Sequence, residues 1–191
     1  HGRIAEAVAL QFLRPYVHVR YETLLVDLDA PGKREIIAQG GRFGGWALYV
    51  KDGVPAYDYN FLGLQRYTVA GKEKLPAGKT TVRFEFKYDG GGPGKGGMGI
   101  LYVDDKKVGE GRIEHTQPGI FSADETADVG IDLGTPVVEA IGSESRSRFT
   151  GGIPKLMVDI IPPKPADKAV GDAAVKQAQK KIQEIPEPAP A

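Results

Sequence analysis

The sequence predicts an all-β fold, an antiparallel β-sandwich with a flexible or weakly helical C-terminal tail. Three observations carry that prediction. Val82, Phe84, Phe86 and Tyr88 alternate with Thr81, Arg83, Glu85 and Lys87, the period of two of a strand with one apolar and one wet face. Turn residues recur at short intervals along the chain. Almost no segment carries the 3.6-residue period of a packed helix, so about ten short strands must build the core between two layers.

In order, residues 1–15 have helix-compatible residues (Ala5–Leu10) but no cap and no partner pattern, and read as a poorly ordered or short helical lead. The sandwich is expected over 16–161. Its first strand starts at Tyr16 and carries Val17, Val19, Tyr21, Leu25, Val26 and Leu28, ending at the turn Asp29-Ala30-Pro31-Gly32. Lys33–Gln39 is the second, and Gly40–Gly45 a loop. In the third, Trp46, Leu48 and Val50 share one side. Asp52-Gly53 suits a type I′ hairpin, whose two central residues need positive φ. Pro55–Phe61 and Leu62–Val69 continue the strand texture, and Lys72–Gly78 connects to the strand at Thr80–Tyr88. The glycine-rich loop Asp89–Gly97, the strand Met98–Val103, the turn Asp104-Asp105-Lys106 and the strand Lys107–Ile113 complete a meander. Beyond it come a loop with one strand, Val129–Asp132, a polar stretch Thr135–Ser147, and a last strand Ile153–Ile161. Pro162-Pro163-Lys164-Pro165 ends the domain, because proline cannot donate to a ladder. The tail, 162–191, has helix formers but few apolar residues, and a lone helix of that kind is marginal in water.

The 191 residues, 41% hydrophobic, suffice for one core. Lys+Arg and Asp+Glu balance at 25 each, which speaks against nucleic acid and an anionic membrane surface as partners. Cysteine is absent, removing disulfides, a thiolate nucleophile and Cys-ligated zinc. No window approaches the roughly 18 apolar residues of a spanning helix. The chain reads as soluble, and its composition does not separate cytoplasm from periplasm.

Few motifs carry chemistry. The run Gly90-Gly91-Gly92-Pro93-Gly94-Lys95-Gly96-Gly97 lacks the Ser or Thr after lysine and the following helix that a phosphate loop requires. His1, His18 and His115 have no metal-binding spacing. Asp124, Asp128 and Asp132, with Glu125, concentrate hard oxygen donors and are the candidate ligands of a structural Ca²⁺, although such acids also bond backbone amides. Trp46, Tyr57 and Tyr59 are a candidate sugar-stacking platform, whereas the face Trp46 shares with Leu48 and Val50 suits a core residue.

The runs Ile37-Ala38-Gln39-Gly40-Gly41-Arg42-Phe43-Gly44-Gly45-Trp46, Leu48-Tyr49-Val50-Lys51-Asp52-Gly53, Tyr59-Asn60-Phe61-Leu62-Gly63, Leu75-Pro76-Ala77-Gly78-Lys79, Tyr88-Asp89-Gly90-Gly91-Gly92 and Phe121-Ser122-Ala123-Asp124-Glu125-Thr126 resemble the C-terminal region of large bacterial arylsulfatases, over roughly Val19 to Ile160. The architecture is similar to concanavalin-A-like, laminin-G-like jelly-roll sandwiches. The resemblance implies an accessory domain of a sulfuric ester hydrolase, serving docking to a sulfatase catalytic domain or homo-oligomer assembly. It implies no catalytic residue here, because the Cys/Ser-x-Pro-x-Arg motif of that family occurs nowhere in the chain. The alternative expectation is a carbohydrate-binding, lectin-like module that recognises a glycan through one face of the sandwich.

Overall fold

A computed structural model describes residues 18–26, 33–118, 121, 125, 127–161 and 165–183. Among the described residues ten strands form: β1 His18–Val26, β2 Lys33–Gly41, β3 Gly44–Lys51, β4 Val54–Phe61, β5 Gln65–Ala70, β6 Thr80–Tyr88, β7 Gly97–Val103, β8 Lys106–Ile113, β9 Ala127–Val129 and β10 Gly152–Ile161. They make two five-stranded sheets, ordered β10-β1-β6-β7-β8 and β5-β4-β3-β2-β9. The strand pairings are antiparallel. The all-β sandwich read from the sequence is the observed fold.

Alternation decides which side chains meet. In β6 every second residue is buried, and Val82, Phe84 and Phe86 face Leu48, Val50, Tyr57 and Val69 of the other sheet in one core. Its centre is aromatic. Tyr57 and Phe84 stack with centroids 3.6 Å apart, and Tyr21 lies 4.3 Å from Trp46. Such pairs add roughly 0.5–1.5 kcal/mol beyond the area they bury. Where strands of the two sheets pass closely, glycine makes room: a Cβ at Gly109 would lie 2.4 Å from the Ala70 carbonyl oxygen.

The Asp52-Gly53 turn takes the expected positive φ values, 54° and 86°. Four segments differ from expectation. Gly40–Gly45 is a loop only at Arg42 and Phe43, because Gly40 and Gly41 of β2 pair with Gly45 and Gly44 of β3. Leu62–Leu64 is a turn between β4 and β5 rather than strand, with Leu62 at φ 55° and Gly63 at φ 70°. The short strand near the acidic stretch is Ala127–Val129, displaced toward the N-terminus from Val129–Asp132, because β9 pairs Ala127 to Gln39 and Val129 to Ile37. The polar stretch 135–147 forms no strand, yet Val137, Val138 and Ile141 are buried. They pack on Ala38, Ala47, Tyr49 and Ala56, the outward side of the second sheet, so this segment covers the sheet as a second, smaller apolar layer. The tail forms a helix, α1 Pro165–Gln183, and a Cβ at Gly92 in the glycine-rich loop would lie 3.3 Å from its Val170 side chain. No helix among the described residues is long and apolar enough to cross a membrane.

Candidate functional site

Trp46, Tyr57 and Tyr59 point inward, with exposures of 3, 3 and 5%. The Trp46 indole N–H donates to Gln39 Oε1 at 3.1 Å, and the Tyr59 hydroxyl accepts from the Gln117 backbone N–H at 2.8 Å. Their ring faces lie against other side chains of the core and leave no surface for a sugar ring.

Of the acidic candidates, Asp124 lies outside the described residues. Asp128 accepts from the Leu133 N–H at 2.9 Å, and Asp132 from the Val137 N–H at 3.3 Å. Among the described residues no three carboxylate or imidazole groups converge to hold a metal ion. In the described part of the stretch, Asp128 and Asp132 are each turned to a backbone amide, as acids at loop ends commonly are.

A buried acidic set that the sequence did not announce sits beside Asp132. Glu35 is 1% exposed, and its Oε1 meets no partner among the described residues. Burial pushes the Glu35 carboxyl well above the usual range, and the charges of Asp132, Asp58 and Asp128 add to this. Burial likewise raises Asp132 to about 6, only partly offset by the Val137 amide. Glu35 sits at a bulge between its pairing to Tyr49 and that of Ile37 to Leu48. The extra residue sends Ile36 and Ile37 both into the core, which breaks the period that would have flagged Glu35.

The outward face of the first sheet is different: it is polar and half-buried. Register brings residues of all five strands into two rows. Met157, Glu22, Arg83, Tyr102 and Lys107 make one, and Asp159, Arg20, Glu85, Ile100 and Glu110 the next. Arg83 is the centre. Its guanidinium lies 4.1 Å over the Tyr102 ring, a cation–π contact. It donates to Glu85 at 2.6 Å and to Asp105 at 3.3 Å, with Glu22 4.0 Å away. Arg20 donates to Glu22 at 2.6 Å. With 15% of its side chain exposed, Arg83 is fixed by its neighbours rather than free in solvent. At the β8 edge this face lies beside an open groove of about 460 Å³ lined by Ala70, Lys72, Glu73, Lys106, Val108 and Glu110 among others, where Lys107 pairs with Glu110 at 3.1 Å.

Such a surface offers planar donors, carboxylate acceptors and one ring held in fixed relation. That suits a ligand carrying several hydroxyl or carboxyl groups on a compact frame. Among the described residues it holds no cluster of metal-binding groups. The alternation in β6 already put Arg83 and Glu85 on the wet side. Glu22 and Tyr102 join them only through strand register, which the sequence does not display.

No family model matches the chain, and no curated protein matches it. Solved structures do. The Ruminococcus gnavus IT-sialidase CBM40 bound to α2,3-sialyllactose is similar at 12% identity, covering 86% of this chain and 84% of that one, with a TM-score of 0.57. The same module bound to α2,6-sialyllactose matches at 11% identity over 86% and 87%, TM-score 0.53. A leech intramolecular trans-sialidase matches at 12% identity, covering 84% of this chain but 24% of the enzyme, TM-score 0.52. Likeness at this identity establishes the fold, a jelly-roll sandwich shared with carbohydrate-binding modules. The expectation of an arylsulfatase-related domain is corrected: the similar structures are a sialidase's carbohydrate-binding module and a trans-sialidase rather than sulfatases, and no cluster of metal-binding groups is found among the described residues.

Proposed function

We infer that this chain is a non-catalytic module that binds an oligosaccharide on the outward face of its first sheet. The observation that carries the reading is the Arg83–Tyr102 pair, a guanidinium stacked on a tyrosine and braced by Glu85 and Asp105. Rows of strand residues keep these groups in place without a ligand, so binding loses little to ordering. The half-buried Tyr102 ring, which carries the Arg83 guanidinium over one face, would meet the CH face of a sugar with its other face. Glu22 and Glu85 accept from vicinal hydroxyls, and Arg20 and Arg83 donate to ring oxygens, hydroxyls or a sugar carboxylate. The sandwich likeness to modules seen with sialyllactose supports this class of ligand and leaves the particular sugar to experiment.

A glycan array that includes sialyllactoses tests the reading, followed by calorimetric titration of the best ligand. Tyr102→Ala is expected to weaken binding about tenfold, from the lost stacking. Arg83→Ala is expected to weaken it more, because it also frees Glu85 and Asp105 to repel one another. Both variants should keep the parent's circular dichroism, since the substituted side chains lie outside the core. An array without signal above background overturns the proposal, as does a Tyr102→Ala, Arg83→Ala double variant that binds with parental affinity.

A further inference from the structure

The turns β2–β3 and β4–β5 stand side by side at one end of the second sheet. They project Phe43, 74% exposed, Leu64, 82% exposed, and the half-exposed Leu62. A cluster of large apolar side chains in water calls for a physical reason. The tip is also built stiffly. The buried Asn60 side-chain amide donates to the carbonyls of Gly41 and Arg42, each at 2.9 Å, and its Oδ1 accepts from the Gly63 N–H at 3.0 Å. The Arg42 N–H donates to Thr135 Oγ1 at 2.9 Å, and the Leu64 N–H to the Phe61 carbonyl at 3.0 Å. Leu62 is held at φ 55°, a left-handed conformation that a side-chain-bearing residue adopts at a cost and only where its surroundings impose it.

The geometry points to a membrane-docking wedge: Phe43, Leu62 and Leu64 insert into the interfacial layer of a bilayer with anionic headgroups, and Arg42 meets the phosphates. Two features select this occupant. The backbone groups of the tip named above are satisfied within the protein, the condition that an apolar medium without water imposes. Residues 40–45 and 61–66 contain two arginines, Arg42 and Arg66, and no carboxylate. Arg66 is engaged by the Val137 carbonyl and by Glu139 at 3.3 Å, which leaves Arg42 to reach the headgroups with its stem along the apolar surface. The neighbouring carboxylates are both engaged, Glu139 with Arg66 and Glu125, beside Gly41, with the Thr135 hydroxyl. The wedge lies on a membrane rather than spanning it. It is separate from the glycan face and does not depend on it.

The test is co-sedimentation of the full chain with vesicles of phosphatidylcholine and phosphatidylserine, 3:1, and of phosphatidylcholine alone. The expected result is binding to the mixed vesicles that falls at least about tenfold in Leu64→Ser and in Phe43→Ser, and about fivefold in Arg42→Ala. These side chains are exposed, so unchanged thermal melting confirms that the variants fold. In Phe43→Trp, the new indole emission should shift to the blue on adding mixed vesicles. No sedimentation with the mixed vesicles overturns the proposal, as does binding that the serine variants leave unchanged. Concentration-dependent self-association of the parent that Leu64→Ser abolishes, without vesicle binding, would identify the tip instead as a contact between copies and equally overturns it.

Discussion

Phe84→Ala is expected to destabilise the sandwich by about 3–5 kcal/mol, the range for emptying a buried phenylalanine site. Phe84 has no exposed surface and stacks on Tyr57 at 3.6 Å, with Tyr21 at 6.5 Å. Each neighbour comes from a different strand, and β-sheet backbone cannot slide to close the void without breaking ladder hydrogen bonds. The loss therefore includes the transfer of the ring, its stacking and the residual cavity. At roughly 2–4 °C per kcal/mol for a domain of this size, the melting temperature should fall by about 10 °C. Phe84→Leu, which keeps most of the volume, should cost less than half as much. A Phe84→Ala variant melting within 2 °C or so of the parent would show that the two sheets are not held together at this point.

Stability is expected to fall as pH rises from about 4 to 7, opposite to the behaviour of a protein governed by paired carboxylates. Asp132 and Glu35 both have folded-state values above their ordinary ones, 3.8 and 4.5. The native state therefore keeps protons that the unfolded chain has released, and the slope of unfolding free energy with pH is negative in that window. The stabilisation is complete below about pH 4 and declines as pH passes through the folded value. For Asp132 the window runs from 3.8 to about 6, a gap worth roughly 3 kcal/mol. For Glu35 it begins at 4.5 and extends upward. Asp89 acts in the opposite sense, because bonds from Arg112 hold its carboxyl down, but this pair is solvent-screened and contributes little. Urea titrations at pH 4.5 and 7.5 measure the difference. Asp132→Asn and Glu35→Gln should each flatten the profile, since the amides keep the shape and remove the titration. A parent midpoint that climbs with pH, or an Asp132→Asn profile as steep as the parent's, would show that these acids are solvated in the folded chain.

What was legible in the sequence was whatever depended on one strand at a time. Strand β6 announced itself because its two faces meet different media, and the Asp52-Gly53 hairpin because few other residues accept its backbone. Trp46 shared its side with Leu48 and Val50, and that pattern pointed to the core it occupies. The sequence failed where two or more strands decide together. A bulge at Glu35 buried Ile36 and Ile37 side by side and hid an acid among apolar neighbours. The stretch 135–147 looked like an open loop because only three of its side chains are apolar and buried; sparse apolar residues suffice when the sheet below supplies alanines. Arg83 and Tyr102 lie nineteen positions apart along the chain, and the contact that makes them a site exists only after β6 and β7 find their register.

One pairing reaches beyond recognition. His18, at the start of β1, lies opposite Ile161, at the end of β10, so the first and last of the described strands are neighbours, about 5 Å apart. A fold threaded this way can be spliced into a loop of a host protein without prising that loop open. The same arrangement makes its assembly a late event in synthesis: until the final strand emerges from the ribosome, one edge of β1 stays bare.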